Sequence, residues 1–320
     1  MTYLRGTTIN EQALAAELTL AGVQQWPEQR EQSTGLLAGF VRSAAETLAP
    51  STARQFFVSL SAKDHLLYQF GWILLLSVPA FGMFSYFDPG MAHTANPWFK
   101  PIKFAISFTT FVWTVSVLLL HLRISAGVLR WTRSMMVGSI TVEMLCLAAQ
   151  AWRGTTAAAG SGLTDWLIQQ MTTAMVSLNT AILIGLLAVF CGSRNRIRIA
   201  DGAMILAVRL SIVIFLLGNA VGGYMLARGS HTVGAKDGGP GLPFLNWSTV
   251  AGDLRIAHFI AIHAIQIVPL FAWIVWQMAP RPALKQRRLA VYAMAAAVAL
   301  LVIGTFVQAM LALPVITLAR

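Results

Sequence analysis

Beyond residue 64 the chain alternates long apolar runs with short polar connectors. Seven runs stand out, near 66–87, 103–122, 134–152, 166–191, 202–227, 256–278 and 291–318. A helix rising 1.5 Å per residue needs about 20 apolar residues to cross roughly 30 Å of hydrocarbon, and these runs are of that order. The pattern predicts an all-α fold, a polytopic transmembrane helix bundle of about seven helices. The third run is the shortest and contains Glu143. Pro79, Pro269 and Pro314 fall within the first, sixth and seventh runs, where a missing backbone N–H predicts kinks. The stretch "SAKD", Ser61 to Asp64, has the form of a capping box and is expected to open the first run.

Residues 1–64 lack this pattern. "EQALAAELTL" and "GLLAGFVRSAAETLA" read as short amphipathic helices, with Pro27 and Pro50 as breaks. The segment is expected to be a cytoplasmic N-terminal extension, amphipathic or disordered, ahead of a transmembrane domain over 65–320. A docking segment or an interfacial helix is the other reading.

Composition supports a lipid environment. Of 320 residues, 57% are hydrophobic and 11% are charged, against about 25% charged in a soluble domain. The mean hydropathy is +0.66. The net charge is +11, yet residues 1–64 hold five basic and six acidic groups, so the excess lies wholly in the apolar remainder. No basic face interleaved with aromatics is present, which excludes a nucleic-acid partner. The connectors after the second, fourth and sixth runs carry ten Lys and Arg, against six in the intervening ones. That bias predicts a cytoplasmic N-terminus, an outside C-terminus and a multi-pass protein of the plasma (inner) membrane. Cys146 and Cys191 both lie within apolar runs and read as small buried hydrophobes.

On this topology the outer face gathers unusual chemistry. The connector 229–255 carries His231, Lys236, Asp237, Asp253 and Arg255, and the sixth run opens with "AHFIAIH". His258 and His263 are therefore near the same face, as is His93 in the connector after the first run. A long connector without regular structure is usually functional or disordered, and Phe244, Leu245 and Trp247 favour an ordered cap over the outer mouth. On a straight helix His258 and His263 lie about 140° apart, with Gln266 between them in azimuth. That spacing does not suit one ion held by both, but it defines a broad polar sector. Lys100 and Lys103, three residues apart, suit snorkelling to the interface or the positive half of an anion site. His231 with Asp237 or Asp253 forms a metal-ligand candidate, and haem iron takes axial histidines from separate segments.

Within the membrane Glu143 and Arg209 are the costly residues, and an ion pair between them is expected. Gln150, Asn179, Asn219, Gln266 and Gln308 extend a polar spine across several runs, where such groups turn inward and bond between helices. Gly218 and Gly222 have the spacing that permits close helix contact. No Walker lysine, nucleophile elbow or HExxH occurs, so no catalytic set is assigned.

The strings "FDPGMAHTANPWFKPIKF", "HTVGAKDGGPGLPFLNWST" and "GDLRIAHF" resemble those of an uncharacterised group of bacterial polytopic integral membrane proteins. The resemblance covers roughly residues 66–278, implies the membrane class and carries no activity. Three functions remain open. The first is a haem or transition-metal redox site at the outer face, using His93, His231, His258 and His263 with Lys100, Lys103 and Arg255 around anionic groups. The second is a permease for a small polar or anionic solute, using the polar spine and the Glu143–Arg209 pair. The third is an assembly or sensing partner without chemistry of its own. The expected partners are the lipid bilayer and an unidentified small ligand; oligomeric state is not readable.

Overall fold

A computed structural model describes residues 50–87, 96–154, 162–192, 197, 199, 201–278 and 282–316. The two N-terminal stretches read above as amphipathic helices lie outside these residues, as do Asp88 and His93. The helices are α1 (Pro50–Lys63), α2 (His65–Phe87), α3 (Phe99–Leu120), α4 (Ala126–Trp152), α5 (Leu163–Cys191), α6 (Gly202–Arg228), α7 (Leu254–Ile262), α8 (Ala264–Gln277) and α9 (Leu284–Met310). Two-residue strands β1 (Thr232–Val233) and β2 (Gly252–Asp253) pair antiparallel between α6 and α7, with Thr232 opposite Asp253.

Among the described residues six helices are long and apolar enough to cross a membrane, and α7 with α8, bent by 44° at their junction, make up to seven if the pair counts as one span. The chain is thus an all-α polytopic bundle. Its burial pattern is that of a protein in lipid. Ile73, Leu76 and Leu300 are more than 60% exposed, whereas Glu143 is 1% and Gln150 4% exposed.

Local chemistry sets the helix ends. Asp64 stands in the break between α1 and α2, and its Oδ1 accepts from Leu67 N at 3.3 Å. The cap of α2 is therefore Asp64 itself and not the expected Ser61, whose hydroxyl donates back to Val58 O. Asp64 is 2% exposed and also pairs with Arg133 of α4 at 2.8 Å. Asp201 caps α6 through Ala203 N and pairs with Arg287 in the first turn of α9. Gly229, at φ +63°, ends α6 in the left-handed conformation that glycine adopts without a Cβ penalty.

Three sequence expectations need correction. The third span begins at Ala126, eight residues before the expected start at 134. Arg130 and Arg133 lie inside it, close enough to its end for their heads to reach the polar boundary. The last helix stops at Met310, and Ala312 takes a positive φ, so Pro314 follows that helix and does not kink it. Cys191 is exposed at the end of α5, whereas Cys146 is buried.

Two packed groups share α6. One joins α2 to α6 around Leu67, Val112, Ile140, Leu183 and Ile212; the other joins α6 to α7, α8 and α9 around Ala207, Ala264, Val268 and Val291.

Candidate functional site

A cavity of about 110 Å³ lies where the two groups meet. Its apolar wall is built by Phe104, Phe108, Phe111 and Phe215; its polar wall includes Glu143, Asn179, Asn219, His258, His263 and Gln266. Ser107 and Thr180 also line it. Ser107, Glu143, Asn219 and His263 each lie eight or nine residues from the end of their helix that faces the 229–255 connector. At 1.5 Å per residue this is roughly 12–14 Å deep, near the middle of a bilayer.

Close packing positions the histidines. A Cβ on Gly218 would lie 2.7 Å from the Ala261 Cβ, and one on Gly222 would lie 3.0 Å from the His258 ring. The bare glycine surface of α6 thus admits α7, and the His258 Nδ1 reaches Gly218 O at 2.7 Å. A carbonyl only accepts, so Nδ1 carries the hydrogen of the neutral ring and Nε2 is left as an acceptor. His263 stands at the junction of α7 and α8, and its Nε2 is 3.4 Å from Ser107 Oγ. The azimuth expected for an unbroken helix no longer applies across this junction, and both imidazoles line the same cavity.

Glu143 is the chemically exposed member of the wall. Its Oε2 is buried without a hydrogen-bond partner. The expected Glu143–Arg209 pair does not form: Arg209 Nε donates to Phe190 O at 2.7 Å. The longer α4 explains this. Glu143 is seventeen residues from the start of α4, and Arg209 seven from the start of α6. These offsets correspond to depths differing by roughly 15 Å. The nearer cation is Lys100, whose Nζ donates to Gln150 Oε1 at 3.1 Å and which lies within electrostatic range of Glu143.

Above the cavity the connector forms an ordered cap. Lys103 Nζ donates to Leu245 O at 3.2 Å and sits 5.9 Å from the Phe244 ring centroid. Phe244 packs on Phe99, and Trp247 on Phe259, which in turn contacts the His263 ring. Arg255 holds Asp253 at 2.6 Å and donates to Asn246 O. His231 Nδ1 lies 3.4 Å from Asp237 Oδ1 and 3.9 Å from Asp253 Oδ1. Burial and the neighbouring Arg255 lower the His231 pKa. Burial opposes ionisation of Asp237 and Asp253, but hydrogen bonds from Thr232 and His231 to the first, and from Arg255 and Ser248 to the second, hold both below the ordinary carboxylate value.

Lys100, Lys103, Arg255 and His231 are thus brought into mutual electrostatic range at the cap. His258 and His263 belong to the cavity beneath, and His93 lies outside the described residues. Among the described residues no group of three or more His, Cys, Asp and Glu side chains could hold a metal ion. The oxygens of Asp237 and Asp253 are engaged by backbone amides and Arg255. Of the polar spine, Asn179, Asn219 and Gln266 reach the cavity, whereas Gln150 does not line it and accepts from Lys100. Gln308 instead donates to Pro314 O beyond the end of α9. Ser107 and Thr180 had not been anticipated; the only signal for them is a hydroxyl within an apolar run.

Comparison with known proteins finds no matching family model, no matching curated protein and no matching solved structure.

Proposed function

We propose that this multi-pass membrane protein is a transporter for a small polar solute, with its binding site in the cavity beside the broken seventh span. The observation that carries this reading is the mid-depth cavity itself, which combines an unpartnered Glu143 oxygen with two imidazoles and three carboxamides. Ionisable groups at membrane depth are expensive, and they mark solute and proton paths. A discontinuous span at the midplane is a recurring way to build such a site. The 229–255 cap is taken to lie on the outer face of the inner membrane, above a vestibule of Lys100, Lys103 and Arg255. A redox centre receives no comparable support, because the proposed histidines divide between cap and cavity.

The test is solute entry into proteoliposomes, using a panel of neutral, cationic and anionic solutes of fewer than about eight heavy atoms. Wild type is expected to move at least one class well above empty vesicles. Asn219→Leu, which replaces a polar wall group by an apolar one of similar length, should reduce that flux at least tenfold. Wild-type vesicles that behave as empty ones toward the whole panel overturn the proposal.

A further inference from the structure

We infer that the solute is a small monocarboxylate carried together with one proton, the proton residing on Glu143. This rests on the transport reading of the cavity and adds a substrate class to it. Three observations combine. First, Glu143 is 1% exposed, and its Oε2 has no donor or acceptor within hydrogen-bond reach. A carboxyl oxygen at this depth needs a proton or a cation; as a carboxylic acid it becomes a hydrogen-bond donor aimed into the cavity. Second, the charged group nearest it is Lys100, and a monoanion beside Lys100 and a protonated Glu143 leaves the site neutral. A cationic solute there would add a second positive charge or consume Glu143, the one carboxylate among the described residues that line the cavity. Third, Lys103 stands above the cavity with its ammonium on Leu245 O, a cation that draws anions toward the mouth, whereas Arg255 is paired with Asp253.

The walls fit the rest of such a molecule. A carboxylate head meets the Glu143 acid, Asn219 and Ser107, with Lys100 in electrostatic range of Glu143, and a short apolar tail meets the phenylalanines of α3 and the Phe215 ring. Around Glu143 the groups that titrate are His258 and His263 from the broken span and Lys100 from α3; α5 and α6 offer Asn179 and Asn219. Arg209 is held by Phe190 O. In each transport event one anion and one proton enter together. Release of the anion lets the Glu143 proton leave on the same side, so no net charge crosses the membrane.

The probe is radiolabelled pyruvate, a strong acid whose permeant neutral form is scarce, with full-length protein in proteoliposomes. With pH 6 outside and pH 7.5 inside, wild type is expected to accumulate pyruvate at least fivefold over its external level. Clamping the membrane potential with valinomycin and potassium should leave that accumulation unchanged. Glu143→Gln, a fixed neutral donor of the same shape, should lose the pH-driven accumulation at least tenfold and leave a slowed pyruvate counterflow that no longer depends on pH; a detergent size-exclusion profile like that of wild type reports that the variant is folded. Independently, wild type in weakly buffered detergent should take up one proton for each pyruvate bound. Pyruvate uptake that follows the potential, or pH-driven accumulation that survives Glu143→Gln, overturns the inference. Movement of guanidinium, urea or methanesulfonate in place of pyruvate overturns the substrate class and leaves the transport reading intact. Inactivity toward all four solutes overturns the inference, and inactivity toward the whole panel removes the transport reading with it.

Discussion

Gly252 of β2 lies directly against the backbone of α9, and replacing it with alanine is a sharp test of how the cap is held. The new Cβ would fall on the Ala309 carbonyl and stand 2.7 Å from both Ala309 C and Cα. Ordinary contact begins near 3.4 Å, so β2 or α9 must retreat by about 0.7 Å to clear the two carbons and by more to clear the carbonyl oxygen. The obstacle is main chain and has no rotamer to change. Overpacking costs about 1–3 kcal/mol, and a backbone clash belongs at the upper end. About 3 kcal/mol corresponds to roughly a 100-fold change in an opening equilibrium. Hydrogen exchange on protein in nanodiscs reads this directly at Leu242, Thr249 and Leu254, whose amides donate to Trp247 O, Pro240 O and His231 O. Their protection should fall by about two orders of magnitude in Gly252→Ala. Gly304→Ala on the same helix, where a Cβ meets nothing within 4 Å, is the control and should leave them unchanged. Equal protection in the two variants would refute the docking of the cap on α9.

Other consequences can be checked separately. The cap should loosen as pH falls: the lowered His231 pKa means its contribution is complete above the unfolded value near 6.5 and is lost as pH drops through the folded value. Asp237 and Asp253, also lowered, contribute above about 3.9 and lose that contribution in more acid solution. Proteolysis of the 229–255 connector as a function of pH should therefore be flat above roughly 6.5 and rise below it, and His231→Gln should remove the first part of that rise. Arg133→Gln leaves the buried Asp64 carboxylate without its cation and should cost about 3 kcal/mol, measured as detergent-solubilised thermal stability, against about 1–2 kcal/mol for Asp64→Ala, which removes the α2 cap but leaves Arg133 near the polar boundary. Arg209→Ala and Glu143→Gln should be additive within about 0.5 kcal/mol, since the residues share no contact; a larger coupling would restore the discarded ion pair.

The apolar runs made the number and order of the spans legible, because about 20 residues of hydrocarbon-soluble helix is a long and unambiguous signal. Ends were less so. Arg130 and Arg133 look like a connector in a hydropathy window, yet they occupy the first turns of α4, and that shift of eight residues misplaced Glu143 against Arg209. The polar sector of the sixth run was visible as His258, His263 and Gln266, but their relative azimuth assumed a straight helix. The bend at His263 involves neither glycine nor proline at that position, so it carried no local signature. Lys100 next to Gln150, 50 residues away in sequence, was likewise invisible, because side chains on separate spans meet only once the packing is known. The contact of the cap on α3 runs through Phe244 at a positive φ, a value that a bulky residue rarely adopts and that its identity does not announce.

The strand pair tethers the beginning of α7 to the end of α9, whereas α8 begins beyond the bend and is joined to α7 at a single residue. α8 is seated separately, on α6 and α9, through Ala264, Val268 and Ala272. The two halves of the bent pair are thus secured by different partners, and loosening the strands would free the start of α7 while α8 keeps its seat.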